Sequence, residues 1–461
     1  MQRKALLMGG SGFIGSAIAE SLVAEGWHIH LLTRNASELR WHTSFPCSLF
    51  EWDKGEISPA ALNGVTAVIN LVGQPIADKS WTQSYKSEIF NSRINAVKAL
   101  KRALIRDRIK PQVIIQASAI GYYGFDQSGE LNEASPAGSG FLSETCQIWE
   151  KEAQGLSDFS RLCIARIGLV LGWGGGAFPK LHDVYCFGLG ATLGKGNQWM
   201  NWIHIADVVN FVRQAILQDS YNGIFNLVSP EGATNKEFHK ELSKYTCSFS
   251  ATKAPKAALK FVLGQRAALV LKGSCIRPKK LQNLDFEFQF PSLNACLGNI
   301  FYNSIHTEAH VLEFRQWLPV SSELTWEFIA NAENLEKITP SWLQFKVLKK
   351  TTEQLGTGST IDYELKLHGL SLKWRSLISH WQPPHEFVDE QISGPYKSWH
   401  HRHLFSQLAD GILIVDRVEY RIPFFPFGEL AFPFIKKDLL KIFKFRQKKM
   451  AKLMVSNGQE I

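Results

Sequence analysis

The residues of this chain best suited to chemistry stand near its start, in the run Ala5-Leu6-Leu7-Met8-Gly9-Gly10-Ser11-Gly12-Phe13-Ile14-Gly15. Gly10, Gly12 and Gly15 are spaced as G-x-G-x-x-G, and Gly9, Gly12 and Gly15 as G-x-x-G-x-x-G. With 35 glycines in 461 residues, spacing alone says little. Context decides: an apolar strand, Ala5–Met8, precedes the glycines, and an amphipathic helix, Ile14–Glu25, follows them. Glycine permits the tight turn and lets backbone N–H groups close on a pyrophosphate, while the helix start adds partial positive charge. The next strand ends in His30-Leu31-Leu32-Thr33-Arg34-Asn35. It offers no acid for ribose hydroxyls, but Arg34 can pair with a 2′-phosphate. The expected ligand is NADP; the alternative for Arg34 is a solvated loop side chain.

These residues need a scaffold, and the pattern supplies one. Strand candidates at Ala5–Met8, His28–Thr33, Ala67–Val72, Val113–Ala117 and Leu162–Ile167 alternate with helical stretches such as Tyr85–Arg106. Strand and helix in alternation predict an α/β fold, a Rossmann-type doubly wound parallel sheet. Pro255–Leu271 reads as a further helix, apolar on most faces. From Leu312 the period becomes two, with strands expected at Ile361–Leu367, Leu372–Trp381, His400–Phe405 and Ile412–Tyr420 and a final helix at Pro433–Met454. Domains are expected over 1–300, with an extension at 245–297, and over 307–455.

Hydrophobic residues at 45% and charged residues at 20% exclude a disordered or fibrous chain. A net charge of +9 selects no partner class, and no nucleic-acid-binding module is recognisable. Seven cysteines without a C-x-x-C spacing read as free thiols in a reducing compartment. No signal peptide or 18-residue apolar run is present, so a cytoplasmic protein without a transmembrane segment is expected. An oligomer is compatible with the sequence.

Several ordered motifs carry a resemblance. Gly9–Gly15, Ile69-Asn70-Leu71-Val72-Gly73, Ala117–Gly124, Phe141–Ala153, Arg166–Gly176, Trp199–Val209 and Phe225–Phe238 are similar to the extended and atypical short-chain dehydrogenase/reductases. The match is to the sugar-nucleotide-epimerase-like subgroup, some of whose members are labelled cell division inhibitor. The resemblance implies that Asn70, Leu71, Val72 and Gly73 line the adenine and ribose side of the cofactor site. It implies that Asp53 lies near adenine and Ser118 beside the nicotinamide. The Tyr-x-x-x-Lys pair that most short-chain dehydrogenases use to move the proton during hydride transfer is missing. None of the ten tyrosines has lysine four residues on, and the expected positions fall near Leu142 and Cys146. Tyr122 and Tyr123, close after Ser118, are the substitute phenols; their alternative is aromatic packing. His204 and Asp207 read as a pair ordering a helix start rather than as catalysts. Gly174-Gly175-Gly176 reads equally as a bend near substrate or a flexible turn.

Residues 309–455 resemble the START-like SRPBCC superfamily of polyketide cyclases and lipid-transfer proteins. The carriers are Phe314–Pro319, Trp326-Glu327-Phe328, Asn331–Pro340, Ser393–Phe405 and Asp416–Gly428. The implied α+β helix-grip fold wraps a curved antiparallel sheet around its last helix. Phe345, Tyr363, Trp374, Trp399 and Tyr420 are then expected to face inward around a cavity for a hydrophobic ligand. Six histidines fall between His368 and His403. No metal site is expected from them, because alternation along a strand sends successive residues to opposite faces. The basic helix at 430–452, with seven lysines, reads as the packed terminal helix rather than a lipid-binding one.

The first expectation for function is an NADP-dependent oxidoreductase or epimerase-like enzyme acting on a small-molecule substrate, with a fused ligand-binding domain. The second is a non-catalytic NADP(H) sensor.

Overall fold

The computed structural model describes residues 3–52, 55–125, 127–246, 248, 252–302, 304 and 308–455. Asp53 and Cys247 lie outside the described residues.

Strands β1 (Lys4–Met8), β2 (His28–Thr33), β3 (Ser48–Glu51), β4 (Val65–Asn70), β5 (Val113–Ala119), β6 (Arg161–Ile167) and β7 (Gly223–Leu227) form one parallel sheet. Its order is β7-β6-β5-β4-β1-β2-β3. The strands are near-continuous apolar runs because helices cover both faces. In α1 (Phe13–Ala24), Gly15, Ile18, Ala19, Leu22 and Val23 are buried. The same holds for one side of α2 (Gln83–Asp107), through Ile89, Ile94, Val97, Leu100 and Leu104. Strand order reverses between β1 and β4, so the crevice at their carboxyl ends is where a doubly wound sheet binds ligands.

The stretch expected as one helix at Pro255–Leu271 is broken. Lys256–Leu263 ends at Gly264, whose φ of 56° an ordinary residue resists, and a short 3-10 turn intervenes before Ala268–Leu271. Phe261 is 92% exposed. The apolar composition there does not mark burial, because a short broken helix presents much of its side-chain surface to water.

The second unit is an antiparallel sheet of β8 (His310–Leu318), β9 (Lys346–Lys350), β10 (Thr360–Leu367), β11 (Leu370–Gln382), β12 (Glu386–Ser393), β13 (Ser398–Leu408) and β14 (Gly411–Arg421). Its order is β8-β14-β13-β12-β11-β10-β9. Short helices Ser322–Ala330 and Ala332–Ile338 join β8 to β9, and a long helix, α3 (Phe432–Val455), closes the fold. Leu439, Phe443, Met450, Ala451 and Met454 of α3 are buried, so it is the packed terminal helix expected. Two strands, β9 and β12, were not expected; both are rich in charged residues, which hides their alternation.

The chain passes between the units three times where one crossing is expected: Ser37–Pro46 belongs with the second unit. β8 is an edge strand, and this stretch meets its open backbone. Trp317 N donates to Thr43 O at 2.7 Å, and Gln316 Nε2 donates to Trp41 O at 2.9 Å.

Candidate functional site

The glycine loop follows β1 and is built to be narrow. Gly9 has φ +81°, and a Cβ there would lie 3.0–3.1 Å from the backbone of Leu71 and Val72 in the loop after β4. A Cβ on Gly10 would meet Leu31 Cδ1 at 2.5 Å, and one on Gly15 would meet Gly10 Cα at 2.5 Å. Gly12 differs: the nearest atom to its Cβ would be Gly9 O at 3.4 Å, and Gly12 and Ser11 are exposed. Gly12 is also the N-cap of α1, and no side chain caps that terminus. The first N–H groups of the helix, from Phe13 and Ile14, are thus left to a ligand.

Phe13 explains a second glycine cluster. Gly172, Gly174, Gly175 and Gly176 would each bring a Cβ within 2.9–3.2 Å of Phe13. The triplet, which reads equally as a bend near substrate or a flexible turn, leaves room for the aromatic ring of Phe13.

Beyond β4, Asn70 is fully buried. Its Oδ1 accepts from Val72 N at 3.2 Å and its Nδ2 donates to Gln116 Oε1 at 2.9 Å. Asn70 thereby fixes Leu71 and Val72 beside the glycine loop. A Cβ on Gly73 would lie 3.0 Å from the Arg93 guanidinium. After β2, Arg34 is exposed and its guanidinium has no partner among the described residues. Thr33 Oγ1 accepts from Asn35 N at 3.2 Å, and Glu51 Oε1, from the end of β3, accepts from Ala36 N at 3.0 Å. Glu51 is an acid beside this loop that the sequence reading missed, because strand pairing rather than sequence distance brings it there.

Ser118, Tyr122 and Tyr123 converge on two residues the sequence reading did not single out. Ser118 Oγ donates to Glu150 Oε1 at 2.6 Å. Arg166 donates from Nε and Nη2 to the same carboxylate, at 2.8 and 2.7 Å, and from Nη1 to Tyr123 Oη at 2.8 Å. Tyr123 Oη in turn donates to Asn226 Oδ1 at 2.8 Å. Burial pushes the Tyr123 phenol above its ordinary pKa despite Arg166. Tyr122 is half-buried, its ring 3.4 Å from the Arg166 guanidinium carbon. A Cβ on Gly121 would touch Leu142 and Cys146, the residues near which the Tyr/Lys pair is expected. Burial lifts the Cys146 thiol to about 12, so it is no acid–base group at neutral pH.

His204 caps the helix that follows it, whereas Asp207 pins the backbone at Gln289–Phe290. His204 Nδ1 accepts from Ala206 N at 3.1 Å, and Asp207 accepts from Gln289 N at 2.6 Å and Phe290 N at 3.3 Å.

The second unit holds a cavity of about 200 Å³ whose lining includes Phe345, Tyr363, Trp374, Trp399 and Phe443. Trp374 is 7% exposed and its Nε1 has no hydrogen-bond partner among the described residues. Tyr420, expected inward, is buried but outside the lining. Asp389, His401 and His403 form a polar pole in the mostly apolar wall, which Asn334, Thr339, Ser376 and Arg446 also interrupt. Here the argument against convergent histidines fails. His401 and His403 are two apart on β13 and so share a face, while register sets Asp389 of β12 opposite His401 and Asp416 of β14 opposite His403. His400, on the other face, does not line the cavity.

The first unit is therefore a Rossmann-type nucleotide-binding fold of the short-chain dehydrogenase/reductase kind, and the second a helix-grip fold with an internal cavity. Comparison with known proteins makes this particular. Residues 5–227 match the NAD dependent epimerase/dehydratase family, 254–300 a domain of unknown function (DUF1731), and 318–444 the polyketide cyclase / dehydrase and lipid transport family. The chain is 33% identical over 303 residues to the Arabidopsis thaliana chloroplastic epimerase family protein SDR39U1 homolog, covering 63% of this chain and 85% of that protein. It is 32% identical over 297 residues to Bacillus subtilis YfhF, covering 64% and 96%. The crystal structure of human SDR39U1 (isoform 2) with NADPH superposes with a TM-score of 0.59 at 29% identity, covering 65% of this chain and 99% of that one. This chain belongs to the NAD dependent epimerase/dehydratase family, in the group of epimerase family proteins.

Proposed function

We propose that the first unit binds NADP at the loop Gly9–Gly15 and exchanges hydride with a small-molecule substrate, as an oxidoreductase or epimerase-like enzyme. The observation that carries this is the uncapped, exposed start of α1 at Gly12, above a turn too tight for any side chain at Gly9, Gly10 or Gly15. In this reading the N–H groups of Ser11, Gly12, Phe13, Ile14 and Gly15 hold the pyrophosphate and Arg34 the 2′-phosphate. Asn70, Leu71, Val72 and Gly73 border the adenine and ribose, with Asp53 near adenine. The relative crystallised with NADPH supports the choice of cofactor. When bound, NADP supplies or accepts the hydride. Of the catalytic candidates Ser118, Tyr122 and Tyr123, Tyr122 is the proton donor, since its phenol makes no hydrogen bond among the described residues. Ser118 and Tyr123 brace the Glu150–Arg166 pair beside it.

The second unit takes a hydrophobic ligand, supported by its aromatic cavity and its match to lipid-transport proteins. A cytoplasmic setting accords with six free cysteines among the described residues.

The test is NADPH oxidation against a panel of carbonyl compounds and sugar nucleotides, with Tyr122→Phe. Turnover that falls at least about tenfold in the variant supports the assignment. NADPH binding by calorimetry without turnover on any member favours a second reading, a non-catalytic sensor. One observation supports that alternative: the hydroxyls of Ser118 and Tyr123 are already spent on Glu150 and Asn226.

A further inference from the structure

The polar pole of the second unit's cavity has the form of a metal centre. Asp389 Oδ2 lies 3.3 Å from His401 Nδ1 and 3.2 Å from His403 Nε2. These three ligand atoms all fall within 4.8 Å of one another. A charge-assisted hydrogen bond closes to about 2.7–2.9 Å. At 3.2–3.3 Å the contacts to Asp389 are longer, with His403 Nε2 still within hydrogen-bond reach, and they also match the edge of a tetrahedron around zinc, about 3.3–3.4 Å for bonds of about 2.0–2.1 Å.

The opposite ring nitrogens are anchored separately. His401 Nε2 lies 3.2 Å and His403 Nδ1 2.7 Å from Asp416 Oδ1. One carboxylate thus orients both imidazoles from behind, the arrangement by which metal-binding histidines have their tautomer and ring plane fixed. Charge argues the same way. Asp389 and Asp416 bring two negative charges into a low-dielectric pocket, with the two rings' centroids only 3.7 Å apart. A single divalent cation would balance both carboxylates, in a cavity whose lining also holds Arg446.

We propose that Asp389, His401 and His403 bind one divalent transition-metal ion, zinc or ferrous iron, with Asp416 as the positioning residue. Two histidines and one carboxylate leave at least one coordination position free. Because all three ligands line the cavity, that position opens into it. A ligand with an apolar body and one oxygen donor, a carbonyl or carboxylate, fits such a site. This last step rests on the hydrophobic-ligand reading; the metal site itself does not.

The experiment measures metal on the full chain with no organic ligand present, so the two readings fail separately. Elemental analysis of purified, desalted protein is expected to give close to one zinc or iron per chain. After chelator stripping, added Co2+ should give a visible d–d band and a higher melting temperature. Asp416→Asn should weaken metal affinity about 10- to 100-fold while leaving stoichiometry at saturation unchanged. His403→Gln should abolish the cobalt band. Should either variant fail to fold, the wild-type measurements still decide. A purified chain with no bound transition metal, no cobalt band and no metal-dependent melting shift overturns the site and leaves a buried ion-pair network.

Discussion

Arg166 grips Glu150 through two parallel hydrogen bonds, at 2.8 and 2.7 Å, with both side chains almost wholly withdrawn from water. The hydroxyls of Ser118 and Tyr123 are tied into this pair, whereas that of Tyr122 makes no hydrogen bond among the described residues. Where the tyrosine–lysine pair is expected stand Leu142 and Cys146, and Glu150, one helix turn beyond Cys146, holds Arg166.

Removing one member of a buried pair costs more than the pair contributes, because the remaining charge is stranded. Arg166→Met is expected to lower stability by about 3–5 kcal/mol, read from urea unfolding of the full chain. The double variant Glu150→Leu/Arg166→Met should recover most of that loss. If the double variant is no more stable than Arg166→Met, the pair is not the unit drawn here.

Gly12→Ala separates binding from folding. The φ of Gly12 is −82° and its Cβ would have room, so melting should barely move. The methyl group nevertheless stands at the open helix start, and NADPH affinity should fall by at least about tenfold, or ~1.4 kcal/mol. Gly10→Ala, by contrast, drives a Cβ into Leu31 and Leu7 and should destabilise the fold as well.

Arg34 is the residue expected to select the phosphate in the proposed reading. A charge-assisted bond to an exposed phosphate contributes about 1.5–3 kcal/mol, so Arg34→Ala should weaken NADPH binding about 10- to 100-fold. NADH affinity should stay within about twofold, since no other group on that loop changes. Calorimetry with both nucleotides checks the ratio, and an equal loss for both would remove Arg34 from this role.

His204 predicts an acid sensitivity. Burial lowers its pKa from 6.5 to about 4, against a raising hydrogen bond from Asn299. The unfolded state then binds more protons between pH 6.5 and about 4, so stability falls as pH drops through that window. The full effect is on the order of 3 kcal/mol. Asn at this position retains an N-cap acceptor for Ala206 N–H but does not titrate. His204→Asn should therefore flatten the fall in urea midpoint between pH 6.5 and 4.

The sequence by itself determined the first strand, the glycine cradle and the helix after it. The runs Ala5–Met8 and Ile14–Glu25 with glycines between them admit little else, because local backbone sterics and the 3.6-residue period act over a few neighbours. The resemblance then carried the architecture of both units. What pairing and packing decide was not legible. Glu150 and Arg166 sit in separate elements, and only the sheet and the helix beside it bring them onto Ser118 and Tyr123. The Gly174–Gly176 turn could not be read without Phe13 against it. Asp389, His401, His403 and Asp416 look scattered along three strands until register sets them opposite one another, and register is a property of the assembled sheet. Local chemistry is written residue by residue, but convergence of side chains distant in sequence follows from burial of the whole core, which only the tertiary fold supplies.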